Sequence, residues 1–468
     1  MNISDQNECQ AGLGLPETEW PDPTVGSAPA KARLNEPNRE QVKLRPVDLE
    51  SLLAPDHEVR SVWQFVSRLD LSRFKAEIKA VDGRAGRPAT DPRLLLSLWL
   101  YAITQGIGSA RELARLTTDH IAYQWLCGGV SVNHHSLSDF RVDHESELDQ
   151  LLTDGVATLV EAKAVTMHRV AQDGMRVRAS AGSSSFRRRA RLEEHQRQAK
   201  EQIEALRKEL DGDPQASRQR EVKRQLAMSE KRQKAVEHAL VEMSRLEKKL
   251  AERPKTSHKK KKKKSNSDGD GLAKAKDETN KEPRASTTDP EARVMKMADG
   301  GFRPAYNAQF STDTASQVIV GVEVTNQGTD MGLVMPMIEE LERRYGSAPA
   351  EALVDGGFAS LQDIEQLARR KQPTTIYAPV QKPRNDRSQF SPRKDDSPEI
   401  AEWRVRMGTE QAQAIYKQRA ATAECVNAIA RNRGLTQLLV RGVKKVRSVL
   451  LLYAIAHNMM RSFALAAA

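Results

Sequence analysis

Apolar positions along the chain change their period several times, and each change marks a change of element. Residues 91–106, DPRLLLSLWLYAITQG, form an apolar run with Asp91 and Pro92 in front and Gly106 behind. A capping carboxylate, a proline at the first helical position and a closing glycine predict a buried helix. SARELARLTTDHIAYQWLCGG and SVNHHSLSDFRVDH then space Leu113, Leu116, Ile121 and Leu137 so that short helices separated by glycine turns share a core. From Phe186 to Arg253 apolar residues fall at Leu192, Ala199, Ile203, Leu206 and Leu210, then at Val222, Leu226, Val236, Leu240, Met243 and Leu250. Those helical spacings in a highly charged background predict a coiled coil, and the DGDP at 211–214 predicts that it folds back as a hairpin.

On either side of that arm the pattern becomes strand-like. HRVAQDGMRVRAS at 168–180 alternates, and FRPAYNAQFSTDTASQVIVGVEVTN reads as two strands joined by a polar turn near Asp313. An amphipathic helix, MGLVMPMIEELERRYG, follows, then a strand, EALVDGGF, ending in Asp355 and two glycines. LQDIEQLARR reads as a helix, TTIYAPV as a strand, and YKQRAATAECVNAIARNRG as part of a long helical stretch. The order is three strands, helix, strand, helix, strand, helix, which makes the fold class α/β.

Composition narrows the partners. A chain of 468 residues has room for roughly two or three domains. Residues 1–55 are rich in Pro, Gly, Asn and charge and are expected to be extended or disordered. Residues 254–284 read as a low-complexity basic linker whose Lys259 to Lys264 run adds phosphate affinity without sequence preference. Lys and Arg number 74 against 63 acidic residues, and a net charge of +11 favours a polyanionic partner, nucleic acid first. Cys9, Cys127 and Cys425 are too few and too scattered for a disulfide framework or a zinc site, which fits a reducing compartment. The first residues lack the basic start and apolar stretch of a signal peptide, and the apolar runs at 94–103 and 449–456 are short enough to be core helices. The expected location is cytoplasmic and nucleoid-associated, with no membrane partner.

The helical region 56–160 carries Asn133, His134, His135, Ser138 and Arg141 on one stretch. In a helix-turn-helix arrangement such polar and cationic side chains reach phosphates and base edges, although a helical domain with a solvated polar face fits the same residues. His134 and His135 are adjacent and poorly spaced for one metal.

From about residue 60 onward the chain resembles the DDE transposases of bacterial insertion sequences, in the eleven-eighty-two group of the insertion-sequence-four-like superfamily. The residues that carry the resemblance are QDGMRVRAS with Asp173, DPEARVMKMADGGFRPAYNAQ at 289–309, ALVDGGF with Asp355, and YKQRAATAE at 416–424. Arg431 and RGVKKVRSVLLLYAIAHNMM complete it. The resemblance implies a ribonuclease H-like mixed-sheet catalytic core over 161–185 and 285–468. It also implies an N-terminal helical DNA-binding domain at 56–160, with the coiled-coil hairpin at 186–253 as an insertion. In that fold an Asp on the first strand, an Asp just after the fourth and an acidic residue on a later helix form the site, and Asp173, Asp355 and Glu424 stand there.

The implied reaction is cleavage at insertion-sequence ends and strand transfer: water frees a 3′ hydroxyl, which then attacks target DNA. Hard cations require oxygen ligands. Two magnesium ions about 3.5–4 Å apart, with manganese as a substitute, activate the attacking oxygen and stabilise the leaving one. By resemblance Asp173 bridges both ions, Asp355 and Glu424 each hold one, and Tyr416, Arg419 and Arg431 bind the phosphates of the transposon end. Glu424 and Arg431, seven residues apart, share a helix face. The Arg419 to Glu424 gap is one residue longer than in the superfamily's common form. A homodimer is expected, because two terminal repeats must be brought together. Two other readings stay open: a transposase-derived DNA-binding protein without catalysis, and a ribonuclease H-like nuclease or resolvase. Asp299, Asp313 and Asp330 are weaker acidic candidates, Asp330 reading as a cap or dipole partner at a helix start.

Overall fold

The computed structural model describes residues 48–81, 83, 88–212, 216–252, 282–382 and 388–467. The expected disordered segment 1–55 and linker 254–284 therefore lie outside the described residues, apart from 48–55 and 282–284. Residues 48–55 are ordered by distant partners. Glu50–Leu52 forms one tight helical turn, Leu53 is buried, and Glu50 accepts from Arg60 and, at 2.7 Å, from Trp125 Nε1. Local composition carries no sign of those contacts.

The helical region contains α1 (Glu58–Ser67), α2 (Ser72–Ala76), α3 (Pro92–Thr104), α4 (Ala110–Asp119), α5 (Ile121–Cys127), α6 (His134–Asp143) and α7 (Glu145–Glu161). Helix α3 forms as its ends dictate: Asp91 Oδ1 accepts from Arg93 N at 2.8 Å, and Gly106 turns the chain away at φ +76°. Its residues from Leu94 to Ala102 are buried, so it is the centre of this region. Leu113 and Leu137 join that core as expected. Ile121 does not: it opens α5 on the side away from the core and is 45% exposed, while Ala122, Tyr123 and Leu126 turn inward.

The middle of the mixed sheet is β1 (Arg169–Arg178). One edge of β1 pairs antiparallel with the strand Phe302–Asp313, and the other pairs parallel with Glu351–Leu353. In chain order the strands are β1, β2 (Phe186–Arg187), β3 (Ala285–Ser286), β4 (Arg293–Lys296), β5 (Phe302–Asp313), β6 (Ile319–Thr325), β7 (Glu351–Leu353) and β8 (Thr375–Tyr377). The far edge of β5 takes β6 and then β4 along successive stretches, and β8 extends the parallel side beyond β7. β4 is absent from the sequence pattern because its four residues are too few to establish an alternation.

Between β1 and β4 the chain leaves the sheet through the β2–β3 ribbon and enters α8 (Arg189–Gly212) and α9 (Ala216–Glu252). Arg189 pairs with Glu247 at 2.6 Å and Arg207 with Glu230 at 2.9 Å, so the two helices run antiparallel. Leu192, Val236, Ala239 and Met243 close on Ala285 as a small core at the base of this arm.

The later helices are α10 (Val334–Tyr345), α11 (Leu361–Ala368), α12 (Pro398–Met407), α13 (Glu410–Arg419), α14 (Cys425–Asn432) and α15 (Val443–Ala467). α15 is, among the described residues, the one helix long and apolar enough to cross a membrane, and Leu450 to Met459 in its middle are buried in the protein core. Asn458 of α15 accepts from Ile319 N and donates to Ile319 O, both at 2.8 Å, supplying a rung at the start of β6.

Alternation along β1 puts Gln172, Gly174 and Arg176 on the opposite face from Asp173. There Asp330 accepts from Asn307 Nδ2 at 2.6 Å and Gln309 Nε2 at 2.9 Å. This corrects the reading of Asp330 as a helix cap: α10 starts later, at Val334, without a side-chain cap, and the Asp330 carboxylate accepts from the amides of β5 instead. Gly174 makes room for this layer, since a Cβ there would lie 2.3 Å from Gln309 Nε2.

Candidate active site

Asp173 lies in mid-β1, opposite Phe310 of β5. Its Oδ1 accepts from Gly174 N and its Oδ2 from Asn427 Nδ2, both at 2.9 Å. Burial pushes its carboxyl above the ordinary range; the Arg419 charge opposes the shift and the Asp355 charge adds to it. Asp355 follows β7 at the head of the DGGF turn, where its Oδ1 accepts from Gly357 N at 2.8 Å and Phe358 N at 3.2 Å. Asp355 therefore shapes the turn at the two glycines, and the same residue lines the cleft with Asp173.

Glu424 ends a π turn, Ala420–Glu424, between α13 and α14. In a regular α-helix residues five apart diverge by about 140° around the axis. Bonding of the i→i+5 kind closes that angle, and Arg419 forms an ion pair with Glu424 while its Nη1 stands 3.9 Å from Asp173 Oδ2. The extra residue between Arg419 and Glu424 is thus absorbed in the turn. Ala421 O, a carbonyl of that turn, accepts from Gln317 Nε2 at 3.1 Å.

Glu424, Asn427 and Arg431 recur at helical spacing along one face. With Asp173, Asp355 and Arg419 they line a cleft of about 410 Å³. The Tyr416 ring lies 5.8 Å from the Arg419 guanidinium carbon. Asn427 is the residue that sequence reasoning missed. Its signal was a polar side chain one turn after Glu424, beside the buried Val426 and Ala430.

Residues 47–143 match a family model described as Transposase domain (DUF772), and residues 380–463 match one described as Transposase DDE domain. Both matches support a DDE-type transposase. No curated protein and no solved structure matches it. The second of the two family matches contains Tyr416, Arg419, Glu424, Asn427 and Arg431 of the cleft and its border.

The first match covers α1 to α6, where the structure separates the three residues expected at DNA. His135 is exposed and its ring lies 4.1 Å from that of His134. Asn133 is exposed too, but its Oδ1 is engaged as the cap of α6, accepting from Ser136 N at 2.9 Å. Arg141 departs from the expectation. It is 6% exposed, its guanidinium lies 4.7 Å from the centre of the Trp99 ring, and its Nη1 donates to Gly108 O at 2.6 Å. Burial lowers its pKa to about 10. Arg141 shares the inner face of α6 with Leu137, so it braces the loop after α3 and presents no charge to a duplex at the surface.

The donors around the cleft are carboxylate and amide oxygens, the kind that suit a hard divalent cation. Two further observations fit one: the charge on Asp173 is opposed by burial, and Asn427 Oδ1 is buried without a hydrogen-bond partner. Among the described residues no three acidic, His or Cys side chains are clustered closely enough to enclose an ion. Arg419 instead brings its positive charge between Glu424 and Asp173. The residues fit a cation in kind, with Arg419 as the group that has to yield.

Proposed function

We propose that this transposase cleaves DNA at insertion-sequence ends and joins the freed end to target DNA by metal-dependent phosphodiester chemistry, as a member of the eleven-eighty-two group. The observation that carries the reading is convergence: Asp173 from β1, Asp355 from the turn after β7 and Glu424 from the π turn line one cleft with Arg419 and Arg431. A ribonuclease H-like core is supported by the strand order, with β6, β5 and β1 antiparallel and β7 and β8 parallel to β1. The antiparallel helical arm is read as the coiled-coil insertion of that core.

Asp173, Asp355 and Glu424 would hold magnesium, or manganese in its place, which when bound activates the attacking oxygen and stabilises the leaving one. Arg419 exchanges Glu424 for a phosphate of the transposon end, a partner its planar donors match equally well. Arg431, one turn and more along α14, grips a neighbouring phosphate, and Tyr416 borders the same path. Asn133 and His135 contact the terminal repeat from the exposed end of α6, while Arg141 holds that helix in place from inside. Two copies act together, because two ends must be synapsed, and the substrate is chromosomal DNA in the cytoplasm.

The test is excision in cells, with the gene on a plasmid and a marker flanked by the gene's own neighbouring DNA. Marker loss with the wild type and none with Asp355→Asn is expected. Loss with both proteins would remove Asp355 from the chemistry. No loss with either, from soluble protein that binds the flanks, would leave DNA binding without catalysis.

A further inference from the structure

We propose that Asn427 is a positioning residue for the metal site: its amide fixes the carboxylate of Asp173 in the orientation that receives a divalent cation. The inference rests on the reading of Asp173 as a metal ligand and assigns a role to a residue outside the acidic triad.

The contact joins α14 to β1 across 254 residues of sequence. Asn427 Nδ2 donates to Asp173 Oδ2 and the backbone N of Gly174 donates to Oδ1, both at 2.9 Å, so each carboxylate oxygen is held by one donor. An ionised carboxylate has about two lone-pair sites on each oxygen, which leaves one on each for a cation. The donor is neutral. Arg419, 3.9 Å from the same Oδ2, would also orient the carboxylate but would cancel the charge that attracts a metal. When Arg419 moves to a phosphate, Asn427 keeps Asp173 aimed with its charge intact.

A purely structural role explains Asn427 poorly. The residue is 2% exposed, and its Oδ1 has no hydrogen-bond partner, a cost that an apolar side chain of similar volume would avoid. It lies one helical turn after Glu424 and one before Arg431, so a single helix face carries a carboxylate, the orienting amide and a phosphate-binding cation.

Groups that orient a metal ligand change affinity by about 10- to 100-fold when removed. The test uses the full-length chain without DNA and Mn²⁺ alone as the probe, followed by electron paramagnetic resonance of free Mn²⁺. Melting curves with and without Mn²⁺ accompany it. Asp173→Asn is expected to remove the binding, and Asn427→Leu to weaken it by about 10- to 100-fold and to shrink the Mn²⁺-induced rise in melting temperature. Asn427→Ser repeats the measurement if the leucine variant folds badly. If Asp173→Asn loses Mn²⁺ while both Asn427 variants bind as the wild type does, the positioning role is wrong and the site stands. A lower metal-free melting temperature with an unchanged Mn²⁺-induced shift reduces Asn427 to packing and overturns the proposal. If Asp173→Asn binds Mn²⁺ normally, the site and the positioning role fall together.

Discussion

Asp173 combines two demands that oppose each other. Its place in mid-strand gives it fixed donors on both oxygens, and the same burial raises its pKa, with Arg419 only partly compensating. A carboxyl whose folded pKa lies above its unfolded value keeps its proton to higher pH in the folded state. Stability therefore falls as pH rises from the ordinary carboxylate range through the folded value. Above that window the metal-free protein carries a buried charge that works against folding. Asp173→Asn keeps one acceptor oxygen, for Gly174 N, and presents its amide NH2 toward Asn427, whose own amide turns over to accept with Oδ1; the side chain does not ionise. The variant is expected to melt above the wild type at pH 7.5 in a chelator, with the difference shrinking toward zero as the pH is lowered. A variant that melts below the wild type at every pH would mean that the carboxylate is a net stabiliser through Arg419 and Asn427.

At the level of elements, the π turn converts an irregular spacing into a usable site. Arg419 and Glu424 meet because the turn adds one residue to the helical repeat, while Glu424, Asn427 and Arg431 are arranged by the regular helix that follows. Removing Ala421 restores a four-residue gap, at which Arg419 and Glu424 still face each other on an ordinary α-helix. Removing Ala428 instead rotates Arg431 by about 100° relative to Glu424. The first deletion is expected to retain measurable excision and the second to abolish it. Equal loss in both would mean that the Gln317 contact to Ala421 O, and with it the π turn itself, is required. Much of this was legible from period and spacing: the capped helix at Asp91, the strand around Asp173, the strand ending at Asp355 and the helix face of Glu424 and Arg431. What escaped is what sequence separation hides. The amide of Asn427 meets Asp173 only after β1 and α14 pack, and Arg141 looked like a surface cation until Trp99 covered it. Spacing to Glu424 signalled an extra residue, but only the fold says that a π turn takes it up.

Across the whole molecule, a charged seam ties the helical region to the sheet. Arg344 of α10 pairs with Asp149 of α7 at 2.5 Å and with Glu340 at 2.7 Å, and its side chain is 2% exposed. Arg447 of α15 pairs with the same Asp149 at 2.7 Å and with Glu145. Asp149 is therefore shared by two helices of the sheet region, and the helix that carries it belongs to the other. Taking one partner out of a buried pair costs about 3–5 kcal/mol, because the remaining charge stays buried. Asp149→Ala should fall at the lower end of that range, since Glu340 still holds Arg344. The double variant Asp149→Leu with Arg344→Met should recover most of the loss, as apolar side chains of similar volume often replace a buried pair without penalty. Urea unfolding followed by tryptophan fluorescence reports mainly on the helical region through Trp63, Trp99 and Trp125, and circular dichroism reports on the whole. Coincident transitions in the wild type that separate in Asp149→Ala would identify the seam as the coupling between the two regions. A double variant no better than the single one would assign the coupling to hydrogen bonds such as Arg344 to Thr153, 2.8 Å apart, which charge removal cannot replace.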